Sequence, residues 1–498
     1  MPGSLGTSGS EAVSAEEERS PKQTVAKRIL TRFAHLLSAQ IVDAACQTLF
    51  YIYLARVNSE MYGQVMYAIA AASFLFKVVQ YGLYYTFVRY LTKQKEDKIP
   101  ETICQVQAIR AALLVGGTLV VWCFTYYRNL SPTLTSVVLL VGVGHSLEAL
   151  AETYFAYLRV KGHQRIEARI RITAIILAYG WGVSSVALGL SAVFVGMFRL
   201  VSGVVCLSLG LSYYVRFMRP AKVFASPSRA GMWEMFRYSS VFALIEILGV
   251  VYNKMNVLFL ESATGITGVA YYSAANSLTD GVCILTSEQL LGGVTFPLLA
   301  GLWWKSRGEV GPLVRRTSQW LLIVAFPIMH ILYMESDFII GLIYPAEYKD
   351  SVWMLQYLIW KIPLSFQNNL FSYLMIVAGG ARMLLLIVIV TTLANLIYNL
   401  LLVNSFGLAG GCLVLVLTKL TSAVLTFGYV QLKFGYFRAR DLTFPLLITA
   451  GFMVSFSALQ PFLGTHTAGV ILFTLYGIVV WKVGPRFLGR FAKQDGTW

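Results

Sequence analysis

The sequence of 498 residues predicts an all-α, polytopic membrane protein of about fourteen transmembrane helices, and three observations carry that reading. The first is composition. Hydrophobic residues make up 57% of the chain and charged residues only 13%, about half of what a soluble domain carries, and mean hydropathy is +0.65. The second is periodic: apolar runs of about 20 residues recur along the chain, each able to cross a hydrocarbon core of about 30 Å at about 1.5 Å per residue. Between them stand short polar breaks, and a membrane helix satisfies its own backbone hydrogen bonds. The third is the distribution of Lys and Arg. Of the 40, 31 fall in or next to alternate breaks and the termini, three (Arg56, Arg128 and Lys349) fall in the opposite breaks, and six lie deeper inside the runs. Such asymmetry is the positive-inside pattern and puts both termini in the cytoplasm.

Residues 1–24, rich in Ser, Gly and Glu, read as a disordered cytoplasmic tail, and no cleavable signal peptide is expected. Seven spans are expected at about 28–53, 63–90, 102–127, 133–158, 168–189, 192–215 and 238–260. Seven more follow at about 268–300, 314–334, 351–378, 383–403, 408–432, 442–461 and 466–486. They group as an N-terminal six-helix lobe (25–215), a basic cytoplasmic linker (216–237), a C-terminal six-helix lobe (238–432), and an extra helix pair with the cytoplasmic C-terminus (433–498). Reporter fusions after residues 60, 130, 263, 345 and 464 should read external, and fusions after 95, 165, 225 and 308 internal. Inversion of two adjacent loops would contradict this topology.

The halves repeat. Met61 to Ala68 aligns with Ile266 to Ser273, matching Gly63 with Gly268 and Tyr67 with Tyr272; Gly162 to Arg165 aligns with Gly379 to Arg382, and Gly189-Leu190 with Gly407-Leu408. The offset spans an even number of helices, so the lobes share one orientation and should be related by an axis along the membrane normal.

The net charge of +16 does not point to nucleic acid, because the cations follow the membrane topology; anionic lipids at the cytoplasmic face are the expected partner. The six cysteines lie in or at the edges of spans without CxxC spacing, so neither a disulfide framework nor a zinc site is indicated. No cofactor is expected, and the chain is expected to act as a monomer.

Tyr53-Leu54-Ala55-Arg56, Glu60-Met61-Tyr62-Gly63 and Tyr67, running on to Phe87-Val88-Arg89, resemble the opening of the bacterial polysaccharide (O-antigen type) flippases of the multidrug/oligosaccharidyl-lipid/polysaccharide exporter superfamily. Asn256 to Leu260, Gly268 to Ala275, Phe296-Pro297 and the outward loop Gly341 to Tyr348 extend the likeness over roughly residues 28–490. Two departures stand out: Asn256 where the family often has an acid, and Pro345-Ala346 where it commonly has a Gly. The resemblance implies two six-helix lobes in the bacterial inner membrane, moving an oligosaccharide on a polyprenyl pyrophosphate to the outer leaflet. A cation-coupled multidrug antiporter of the same superfamily is the alternative. A membrane-embedded polymerase or glycosyltransferase is a further one, but the outward loops are short and lack an acid pair.

Ionisable residues inside the bilayer are costly and therefore functional candidates. The cations are Lys77, Arg110, Arg199, Lys254, Lys361 and Lys419; the acids are Asp43, Glu148, Glu152, Glu246, Asp280 and Glu288. Lys77, Arg199, Lys254 and Lys419 are the candidates to hold a pyrophosphate, since fixed positive charge lowers the barrier for an anion in low dielectric. Asp43, Glu246, Asp280 and Glu288 are the candidates to bind a coupling H⁺ or Na⁺. Structural ion pairing competes with both roles. Under the repeat, Lys77 and Asp280 fall at nearly the same depth and could pair across the axis. Arg110 is placed to snorkel to the cytoplasmic surface. His145, Glu148 and Glu152 share one helix face and read as a hydrogen-bonded stripe rather than a metal site.

Overall fold

The computed structural model describes residues 21–93, 98–161, 163–218, 226–284, 291, 295–437 and 439–464, with a few positions up to 478. Within these the chain is helical: α1 (Pro21–Val57), α2 (Ser59–Gln80), α3 (Leu83–Lys93), α4 (Ile99–Tyr127), α5 (Pro132–Val160), α6 (Gln164–Ala187), α7 (Ala192–Met218) and α8 (Arg229–Ile284). After these come α9 (Phe296–Lys305), α10 (Arg307–Met334), α11 (Ser336–Ile343), α12 (Ser351–Leu358), α13 (Lys361–Val377), α14 (Ala381–Tyr398), α15 (Asn404–Phe434) and α16 (Ala439–Leu463). Eight helices among the described residues are long and apolar enough to cross a membrane, and two of these, 56 and 54 residues long, exceed one crossing. Each is interrupted by a glycine with positive φ, Gly265 at +72° and Gly407 at +54°. Both fall between predicted spans, where the chain must leave the α-helical region and only glycine does so at little cost. The protein is a multi-pass helical membrane protein. The expected fourteenth span lies largely outside the described residues.

Two predicted spans are not continuous. The second is broken between α2 and α3, where Tyr81 and Gly82 adopt φ of +47° and +59°. A Cβ on Gly82 would lie 2.6 Å from Phe242 Cβ and 2.8 Å from the Ala243 nitrogen, so the break also lets the start of α8 approach. The tenth is divided between α12 and α13, just before Pro363, whose ring and missing N–H disfavour an uninterrupted helix.

Packing divides the chain into two compact units, Met1–Tyr53 with Leu75–Ala243, and Leu54–Phe74 with Leu244–Trp498. In unit 1, α5 packs along α7 and α7 on α6. Leu83, Phe87 and Leu91 of α3 share a core with Ile103 and Val106 of α4, Tyr157 of α5, Tyr214 of α7 and Met235 of α8. The first turns of α8 belong here because Phe236 stacks on Tyr81 at 4.3 Å and Ser239 donates to Thr86 Oγ1 at 2.8 Å.

In unit 2, α13 lies against α10 and α15, and α14 packs on α15. The face of α13 carrying Ile362, Phe366, Leu370 and Leu374 is wholly buried. Asn256, also wholly buried, donates to Tyr272 Oη and the Gly411 carbonyl, both at 2.8 Å, and so pins α8 to α15. This position is a structural tie. Leu54–Phe74 joins unit 2 through its family-like residues. Tyr62 meets Tyr348 edge-on at 6.2 Å, Arg56 donates to the carbonyls of Leu342 and Ile343 at the end of α11, and a Cβ on Gly63 would lie 2.4 Å from the Ile266 carbonyl oxygen.

Candidate functional site

Eight of the twelve intramembrane charges fall in two clusters, one within each unit. In unit 1 the cluster begins with a helix crossing. A Cβ on Gly144 of α5 would lie 2.4 Å from the Arg199 carbonyl carbon of α7, and one on Gly203 would lie 2.1 Å from the Gly144 carbonyl oxygen. With no side chains between them the two backbones touch, and the residues one turn along are brought together. Ser202 donates to Glu148 Oε1 at 2.6 Å, the Arg199 guanidinium stands 3.7 Å from the same oxygen, and His145 Nε2 is 3.7 Å from Glu148 Oε2.

Phe76 stacks on His145 at 4.1 Å, and Lys77 beside it donates to Gln80 Oε1 at 2.7 Å. From α6, Tyr179 donates to Asp43 Oδ1 at 3.4 Å. Arg199 and Glu148 are the nearest strong charges acting on Asp43. Asp43, Lys77 and Arg199 therefore share one neighbourhood with Glu148, in which two cations balance two acids.

Further along α5 the stripe joins a separate ring of ion pairs. Glu152 binds Arg159 at 2.7 Å and Arg171 at 2.6 Å. Glu167, fully buried, binds the same two arginines at 2.5 and 2.9 Å. Each buried charge has an opposite partner, which is what makes burial tolerable. Arg110 does not snorkel. It is 1% exposed and donates to the Ala149 carbonyl and, at 2.6 Å, to Thr153 Oγ1, because α5 offers acceptors closer than the surface.

The unit 2 cluster lies on α8, α13 and α15. Lys361, at the first position of α13, donates to Asn276 Oδ1 at 2.5 Å and Asp280 Oδ1 at 2.7 Å. Asn276 in turn donates to Asp280 Oδ2 at 2.9 Å. Asp280 is thus the partner of Lys361.

Lys419 donates to Asn253 Oδ1 at 2.8 Å and lies 4.9 Å from the Tyr252 ring centroid. The charges of Lys254 and Lys419 also act on Asp280. Lys361 is therefore the direct partner of the Asp280 carboxylate, on which the charges of Lys254 and Lys419 act as well. Glu246 sits two turns before Asn253 on α8, partly buried, and Glu288 lies outside the described residues. Sequence reasoning left Lys361 out of the pyrophosphate candidates and missed Asn253, Asn276 and Tyr179, which carry no charge to flag them.

Comparison with known proteins places this arrangement in a family. Residues 29–303, more than half of the chain, match the model of the polysaccharide biosynthesis protein family. The chain belongs to that family. A probable low-salt glycan biosynthesis flippase of Haloferax volcanii is 24% identical over 309 residues, covering 60% of this chain and 63% of that protein. The match thus spans just under two thirds of the relative's length. An inward-facing multidrug resistance MATE family transporter of the MOP superfamily superposes with a TM-score of 0.62 at 14% identity, covering 81% of this chain and 98% of that one. The lipid II flippase MurJ in its inward closed conformation superposes with a TM-score of 0.61 at 12% identity, covering 91% and 99%. These two likenesses show the fold that this polysaccharide biosynthesis family member shares with the two proteins.

Proposed function

We propose that this protein is a transporter that flips a polyprenyl-pyrophosphate-linked oligosaccharide from the cytoplasmic to the outer leaflet by alternating access, without covalent chemistry. The fold does not choose between this and multidrug export, because the MATE transporter and MurJ superpose equally well. The charge of the unit 2 cluster favours the flippase. Lys254, Lys361 and Lys419 against Asp280 leave two net positive charges in a low-dielectric region, which attracts a pyrophosphate and disfavours a cationic drug. The glycan biosynthesis flippase relative and the family match support the same substrate class. The test is transport of a labelled lipid-linked oligosaccharide by the purified protein in vesicles; absence of movement under imposed H⁺ and Na⁺ gradients would overturn the reading.

The unit 1 cluster, neutral overall, suits a coupling ion better than an anion. Asp43 is the acid held there by a neutral donor, Tyr179, and Glu148 is already engaged by Ser202 and Arg199. Asp43→Asn should therefore reduce gradient-driven transport severalfold at normal protein level. Full transport by Asp43→Asn at every pH and Na⁺ concentration would remove it from coupling. The charge asymmetry of the breaks supports cytoplasmic termini and residence in the cytoplasmic membrane.

A further inference from the structure

The charges of the unit 2 cluster are not equally placed. Lys361 is 1% exposed, and its ammonium is already held by Asn276 and Asp280. Asp280, by contrast, keeps 39% of its side-chain surface open. Burial therefore withholds Lys361 from a ligand; it fixes the Asp280 carboxylate in place, and Asn276 holds the other oxygen at 2.9 Å. What faces the open side is a rigidly held anion within electrostatic reach of Lys254 and Lys419. A site built only to attract pyrophosphate has no use for such a group.

On the flippase reading, which this inference rests upon, Lys254 and Lys419 take the pyrophosphate. We infer that Asp280 reads what lies beyond it: the carboxylate accepts hydrogen bonds from hydroxyls of the first sugar and repels the free end of an unglycosylated pyrophosphate, so the site selects the loaded lipid over its bare polyprenyl pyrophosphate carrier. In the loaded lipid the pyrophosphate is a diester, and the next group offers hydroxyl donors. In the bare lipid the same position holds terminal phosphate oxygens, which are anionic and only accept. A carboxylate is itself acceptor-only, so it is satisfied by the first and opposed by the second. Discrimination through a repulsive group is a general route to specificity, since attraction alone would favour the more highly charged bare lipid. Asp280 is thus a specificity-determining residue, and Lys361 and Asn276 position it.

The test uses the double variant Asp280→Asn/Lys361→Met, which removes one charge of each sign. The net charge of the cluster, and so its general pull on anions, is unchanged. Detergent-solubilised wild type and variant are titrated with polyprenyl pyrophosphate and with the same lipid carrying one hexosamine. Wild type should prefer the loaded lipid, and the variant should lose about tenfold of that preference. Asp280→Glu, which keeps both the carboxylate and the charge of Lys361 balanced, should retain it. An unchanged preference in the double variant, or equal binding of both lipids by wild type, overturns the inference and leaves the flippase reading standing. Binding of neither lipid by wild type overturns both.

Discussion

Asp280→Ala should destabilise the protein far more than Lys361→Met, and Asp280→Ala/Lys361→Met should recover most of the loss. The asymmetry follows from burial. Removing Asp280 leaves an ammonium that is 1% exposed without its counter-charge, and breaking a buried pair from one side costs about 3–5 kcal/mol. Removing Lys361 leaves a carboxylate with 39% of its surface open and still held by Asn276 at 2.9 Å, so the expected cost is smaller, about 1 kcal/mol. Thermal unfolding in detergent, with folded yield measured alongside, separates the three proteins. Additive losses in the double variant would show that the two side chains do not act as a pair.

Gly144→Val should be among the most damaging single changes in unit 1. The nearest atoms to a new Cβ there are backbone atoms of Arg199 and Leu200 at 2.4 Å, which cannot rotate away as a side chain could. Overpacking against yielding neighbours costs about 1–3 kcal/mol, and a backbone neighbour puts this site at or above roughly 3 kcal/mol. Separating α5 from α7 would also draw Arg199 and Ser202 off Glu148. Gly144→Ala should show the same effect more weakly, and Gly249→Ala, where a Cβ meets nothing within 4 Å, should leave unfolding unchanged in the same assay. Equal unfolding midpoints for Gly144→Val and wild type would rule out the glycine crossing as the device that assembles the cluster.

The membrane class and the interruptions near Gly265 and Gly407 were legible in the sequence because each rests on local composition or on the conformational freedom of one residue. So was the family, through Tyr62-Gly63 and its repeat partners, although those residues prove to be packing elements rather than site residues. Facing was not legible. Lys361 and Asp280 are 81 positions apart, and no local pattern shows that α13 and α8 bring them together. Arg110 was misplaced for a related reason. Its distance from the helix end suggested a surface, but Thr153 and the Ala149 carbonyl, supplied by another helix, were nearer. The break at Tyr81-Gly82 is carried by a glycine that many continuous membrane helices also contain, so only its close approach to Phe242 distinguishes it.

The central claim is that the unit 2 lysines serve a pyrophosphate-bearing lipid, and paired transport measurements test it most directly. Wild type and Lys254→Gln/Lys419→Gln, reconstituted at equal protein level, are assayed for movement of a labelled polyprenyl-pyrophosphate oligosaccharide and of a cationic dye. Wild type should move the lipid-linked glycan and not the dye. The variant, whose cluster retains only the Lys361–Asp280 pair, should lose at least about tenfold of glycan transport, since each lost ionic contact to a desolvated anion is worth about 1.5–3 kcal/mol. Transport of the dye by wild type, or undiminished glycan transport by the folded variant, would contradict the account.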